Sequence, residues 1–169
     1  MKVRILILTT AFFCASFLGL LGLITLCNKF IYYNDTISEP IGYYLVFDAK
    51  NIVVNSLYVI TISAQYIDQL TKLGYHANSG TLLKQVVAKS GDIIDITKSG
   101  VMINNKLLAN SKPVEYASNI GLQAMPVGYH RLLQSGEFWV MGASPHSVDS
   151  RYLGIVHQLQ IHKTAKFLF

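Results

Sequence analysis

The sequence predicts a mostly-β domain behind one N-terminal transmembrane helix. Three observations carry the prediction. Hydrophobic residues make up 51% of the chain and charged residues only 14%, and the apolar excess is concentrated in residues 1–30. Beyond it, short runs rich in aromatic and β-branched residues alternate with Gly, Pro, Asn and Ser, the pattern of strands and turns. Only one later stretch carries apolar residues at helical spacing. A chain of 169 residues holds one domain of ordinary size plus an extra segment, read as an anchor over 1–30 and a domain over 31–169.

Ile5 to Cys27 reads ILILTTAFFCASFLGLLGLITLC. These roughly 23 uncharged residues would span about 34 Å as a helix, enough for a bilayer core of about 30 Å. A cleaved signal peptide has a shorter core and a small-x-small site behind it. Thr25-Leu26-Cys27 is not such a site, and Leu26 is not the small residue that a lipoprotein signal needs before its cysteine. Lys2 and Arg4 precede the run and Lys29 follows it. That balance favours a cytoplasmic start with the domain on the outer side, and makes the lipid bilayer a partner. Phe30, Tyr32 and Tyr33 read either as an interfacial aromatic belt or as packing of the first turn beyond the membrane.

The segment from Asn34 to Gly42 is polar and broken by Pro40 and Gly42, so it reads as a loop. Gly42 to Asp48 (GYYLVFD) and Ser56 to Ile62 (SLYVITI) read as strands. Ser63 to Leu73 reads as a helix ending at Gly74, a plausible C-cap. Leu82 to Ala88 and Ile93 to Thr97 are strands joined by the turn Ser90-Gly91-Asp92. Val101 to Leu108 is a hairpin turning at Asn104-Asn105, because Asn tolerates positive φ. Tyr129 to Leu133, Glu137 to Gly142 and Gly154 to Ile161 complete the strands. Tyr75 to Gly80 and Pro113 to Val127 are the least regular stretches. The C-terminal run from His162 to Phe169 mixes basic and apolar residues, and reads as a lipid-contacting or frayed tail.

Composition excludes several classes. The formal charge of +5 and pI near 9.2 would suit nucleic acid, but the basic residues are scattered and no nucleic-acid motif is present, so none is expected as a partner. Cys14 and Cys27 both lie in the apolar run, which leaves the domain without a disulfide framework. No HExxH, CxxC or other metal-ligand spacing occurs, and neither a metal nor a cofactor is expected.

A serine nucleophile needs a base for its proton and donors for the oxyanion. The five histidines, His76, His130, His146, His157 and His162, lie in no Ser-His-Asp context, and no GxSxG elbow is present. Lysine is the other base, provided burial lowers its pKa from about 10.4 towards roughly 7–8. Lys84, between Leu82-Leu83 and Val86-Val87, is such a residue. The competing reading is a lysine facing outward on an alternating strand.

Three motifs then resemble one family. Ser38-Glu39-Pro40-Ile41-Gly42-Tyr43-Tyr44, with Thr36 before it, resembles the SxPxG(x)Y nucleophile motif of the conjugative-transfer signal peptidases, the TraF family, relatives of bacterial signal peptidase I. Leu83-Lys84-Gln85-Val86 followed by Gly91-Asp92 resembles its LKRV…GD motif. Ser147-Val148-Asp149-Ser150-Arg151-Tyr152-Leu153-Gly154 resembles its SxDSRYxG motif. The three occur in the family's order over residues 34–156. Two departures stand out: Gln85 replaces a frequent Arg, and Gly142 to Ser147 replaces the GDNRDNS-like run of signal peptidase I, which favours the conjugative branch.

The resemblance implies a signal peptidase I-like or LexA-like β-rich fold and a Ser-Lys endopeptidase. Ser38 is then the nucleophile and Lys84 the general base. Thr36 supplies a second oxyanion donor, and Ser147 holds the Lys84 ammonium by a hydrogen bond. Pro40, Gly42, Gly91, Asp92, Asp149, Ser150 and Arg151 are structural residues near the site, with Asp149 and Arg151 ion-paired. The implied substrate is an exported precursor, pilin-like or bearing a signal peptide, and the implied location is the bacterial inner membrane with the catalytic domain on the periplasmic side. A minimal housekeeping signal peptidase I and a non-enzymatic assembly factor of the same fold are the alternatives. A LexA-like self-cleaving repressor lacks its DNA-binding domain here.

Overall fold

The computed structural model describes residues 12–22, 25, 29–72, 80–114 and 121–169. Strands run from Ile31 to Phe167 in two antiparallel sheets. The larger contains β1 (Ile31–Asn34), β2 (Gly42–Asp48), β3 (Ser56–Thr61), β4 (Thr81–Ala88), β9 (Glu137–Met141), β10 (Val156–His157) and β11 (Ile161–Phe167), in the order β1-β2-β11-β3-β4-β9-β10. The smaller orders β7 (Lys106–Leu107), β6 (Gly100–Ile103), β5 (Ile93–Thr97) and β8 (His130–Leu132). The expected strands other than the one over Gly154–Ile161 fall close to these bounds. Asn104 and Asn105 both take positive φ, 50° and 63°, and close the β6–β7 hairpin.

The membrane-spanning part of the expected fold is corrected. Among the described residues no helix is long and apolar enough to cross a membrane. The described part of helix α1 covers residues 12–22. Of the expected anchor over 1–30, residues 1–11, 23–24 and 26–28 lie outside the described residues. The single-pass inner-membrane location and the membrane-bound processing of exported precursors depended on that anchor and fall with it.

Three further expectations change. Tyr32 and Tyr33, read with Phe30 as an interfacial belt or first-turn packing, lie in β1 and pair with Tyr44 and Tyr43 of β2. The C-terminal run is no tail: β11 sits between β2 and β3, with Thr164 opposite both Phe47 and Tyr58. The strand expected over Gly154–Ile161 is instead short β10, a 3₁₀ turn over Gln158–Gln160, and the start of β11. Gln160 Oε1 accepts the His157 amide at 2.9 Å, which closes that turn and redirects the chain.

Helix α2 (Ala64–Lys72) joins β3 to β4 and turns Leu70 inward against Leu122, Val148 and Tyr152. The Gly74 cap expected for it lies outside the described residues. Helix α3 (Ser150–Leu153) is capped by Asp149, whose carboxylate accepts the Arg151 amide. Strand β4 is central and packed on both faces. Leu83 joins Tyr44, Val46 and Val59 on one side. On the other, Val86 joins Tyr58, Ile60 and Val140; a bulge between Val86 and Ala88 then turns Ala88 to pack with Ile94 and Trp139.

Candidate active site

Side chains of a strand alternate between faces, so Lys84 shares the face of Val86. The outward-facing alternative is therefore not what the fold adopts: Lys84 is 2% exposed. Burial lowers its pKa to about 8, against the pull of Asp149 and Glu39, which raise it.

Ser38 lies in the loop between β1 and β2, because pairing of Asn34 with Gly42 closes residues 35–41 into one turn. Lys84 Nζ donates to Ser38 Oγ at 2.8 Å and to the Leu83 carbonyl at 2.9 Å. Thr36 Oγ1 is 2.9 Å from Ser38 Oγ. The loop is tied to the end of β9: the Ala143 amide donates to the Ser38 carbonyl at 2.8 Å and to Glu39 Oε1 at 3.2 Å. Glu39 is itself buried, and burial raises its pKa against the Lys84 charge, which lowers it. Tyr44 Oη donates to the Pro40 carbonyl at 2.7 Å. Gly42 has φ of 146°, and a Cβ there would run into the Phe169 carbonyl. Strand β2 and the C-terminus thus meet behind the loop only because this residue is Gly.

Asp149 and Arg151 are fully buried and paired at 2.8 Å. Arg151 also donates to five carbonyls, those of Asn110, Lys112, Ser144, Pro145 and Ser147. Asp149 Oδ2 accepts the Gly142 amide at 3.0 Å, and Ser150 Oγ accepts the Val140 amide at 2.9 Å. This cluster sets the turn that carries Ser147 beside the dyad. Ser147 is not bonded to Lys84 as expected. Its Oγ is buried with no hydrogen-bond partner among the described residues, and Lys84 donates to Ser38 and the Leu83 carbonyl instead. Gly91 and Asp92 lie apart from the dyad and build the β4–β5 turn, where Asp92 accepts from the Lys89 amide and from Asn104 Nδ2.

A pocket opens beside Ser38 and Lys84, with Leu70, Leu82 and Val148 as its apolar wall and Ser147 on its polar side. Sequence reasoning missed Leu70, Asn34, Glu39 and Gly142. A Cβ on Gly142 would collide with Ser147 and crowd the Ser38 carbonyl. Only the adjacency of Glu39 to Ser38 was a usable signal. The others join the site through contacts between distant segments. The arrangement can hold a hydroxyl against an amine of lowered basicity beside a small apolar cavity. Among the described residues no cluster of His, Cys, Asp and Glu is arranged to hold a metal ion.

The family model for signal peptidase, peptidase S26, matches residues 11–169. Comparison with curated proteins gives no match. Among solved structures, the crystal structure of a signal peptidase I from Enterococcus faecalis V583 aligns over 66% of this chain and 94% of that chain, at 16% identity and a TM-score of 0.36. A likeness that slight supports no conclusion about the site.

Proposed function

Because the chain belongs to the signal peptidase family, peptidase S26, we propose that it cleaves peptide bonds with Ser38 as nucleophile and Lys84 as general base. The supporting observation is the 2.8 Å contact between Lys84 Nζ and Ser38 Oγ at a lysine whose burial holds its pKa near 8. A lysine at its ordinary pKa of about 10.4 would be almost wholly charged at neutral pH and unable to accept a proton.

In the proposed reaction neutral Lys84 takes the Ser38 proton as Oγ bonds to the substrate carbonyl carbon. The oxyanion is held by the Ser38 amide and the Thr36 hydroxyl. Lys84 returns the proton to the leaving amine as the C–N bond breaks, which leaves an acyl-enzyme. It then activates the water that hydrolyses the ester. The apolar wall beside the dyad suits a small side chain on the residue before the cut. The nucleophile motif and the Gly142–Ser147 run favour the conjugative-transfer branch of the family over the housekeeping branch.

Peptides with alanine before the cut, incubated with the full chain, test the dyad. Ser38→Ala and Lys84→Ala should each lower kcat by about a thousandfold or more. Cleavage that persists in either variant sinks the assignment.

A further inference from the structure

The loop carrying Ser38 is held by a side chain that the reaction above does not use. Asn34 ends β1 and is 3% exposed, and its carboxamide faces two ways. On one side Nδ2 meets three carbonyl oxygens, those of Thr36 at 2.9 Å, Glu39 at 3.0 Å and Pro40 at 3.1 Å. Carbonyl oxygens only accept, so the atom facing them is the amide nitrogen, and the orientation of the carboxamide is settled. On the other side Oδ1 lies 2.9 Å from Thr36 Oγ1 and 3.4 Å from the Thr36 amide nitrogen. An amide oxygen has no proton to give, so the Thr36 hydroxyl donates to it.

That hydroxyl has one proton. With it directed at Asn34, Thr36 Oγ1 meets Ser38 Oγ at 2.9 Å as the acceptor, and the Ser38 proton points at Thr36. Ser38 Oγ in turn accepts from Lys84 Nζ at 2.8 Å. The direction of every bond from Lys84 through Ser38 and Thr36 to Asn34 thus follows from three carbonyls behind one carboxamide.

We propose that Asn34 is a positioning residue for the nucleophile, holding the Thr36 and Ser38 hydroxyls in a resting order that must reverse for cleavage. The inference rests on the Ser38–Lys84 reading. To hand its proton to Lys84, Ser38 must turn its O–H away from Thr36. To donate to an oxyanion, Thr36 must turn its O–H away from Asn34 Oδ1. A charged acceptor holds a hydroxyl roughly twice as strongly as a neutral amide oxygen. Thr36 therefore leaves Asn34 when the tetrahedral adduct forms, and returns when it collapses.

A double-mutant cycle of Asn34→Ala and Thr36→Val, in the full chain and on the alanine peptide, tests this. If Asn34 acts through the Thr36 hydroxyl, each single variant lowers kcat by about 10- to 100-fold with KM within about threefold. The double variant is then within about threefold of the poorer single one. Thr36→Ser, which keeps the hydroxyl, recovers at least part of the rate that Thr36→Val loses. Losses that multiply, an Asn34→Ala variant at full rate, or a Thr36→Ser variant as poor as Thr36→Val overturn the role. If Asn34→Ala does not fold, Asn34→Asp, of the same shape, takes its place, and its kcat loss must disappear in the Thr36→Val background. Ser38→Ala separates the two readings. If it still cleaves, the dyad fails and Asn34 with it; if it is inactive while the losses multiply, only the role of Asn34 fails.

Discussion

Burial makes the Lys84 amine less basic at the expense of stability. Free lysine titrates near 10.4, and burial brings this amine to about 8. Activity should therefore rise with pH through a midpoint near 8, as the base loses its proton, measurable as log kcat/KM against pH. Stability follows the same protons. Below about 8 both folded and unfolded states carry the charge, and the folded state bears the full cost of burying it. Between 8 and about 10.4 only the unfolded state holds the proton, so unfolding becomes harder as pH rises, by about 3 kcal/mol over the window. Lys84→Met should thus be inactive yet more stable at pH 7, by about 1–3 kcal/mol, and its advantage should shrink towards pH 10. Urea denaturation at the two pH values checks this; an advantage independent of pH would place its origin in packing instead of charge. None of this was visible in the residues around Lys84. Leu82 to Val87 was consistent with a buried amine and with an exposed one, and only the pairing of β4 between β3 and β9 selects the inner face.

Among the elements, α2 reaches furthest into the site. Its apolar spacing was legible in the sequence, but its target was not. Leu70 is fully buried and forms part of the wall beside Ser38. Leu70→Ala should cost about 2–5 kcal/mol of stability and open that wall. Relative kcat/KM for leucine over alanine before the cut should rise by about tenfold or more, since one methylene in such a pocket is worth about 1–3 kcal/mol. An unchanged ratio would put the substrate side chain elsewhere. Strand β11 shows the opposite case, an element invisible by pattern. Its residues are only partly buried beyond Ile161, and its charges suit a tail. Yet Lys163 pairs with Asp48 across the sheet, and both edges of the strand are used. Pairing partners so distant in sequence leave no local periodicity to read.

Across the whole molecule, Arg151 joins parts that the sequence keeps far apart. It links the segment at Asn110 and Lys112 to the turn at Ser144–Ser147 and to Asp149. Removing it leaves a buried carboxylate unpaired, so Arg151→Met should cost about 3–5 kcal/mol, read from urea unfolding. Arg151→Lys should recover little, because an ammonium cannot span the same carbonyls. If Arg151→Met unfolds like the unmodified chain, the cluster does not hold the turn. Local chemistry sufficed for most of the strands between β2 and β9 and for the Asn104-Asn105 turn, since alternation and positive φ are properties of neighbouring residues, while Ser38, Asp149 and Arg151 came into view only through motifs that resemble a known family. Tertiary structure alone decided that Lys84 is buried, that the Ser147 hydroxyl has no hydrogen-bond partner among the described residues and that Asn34 bonds the Thr36 hydroxyl. Desolvation and hydrogen-bond order depend on what surrounds a group in space, and here Lys84 and Ser38 meet across 46 positions of chain.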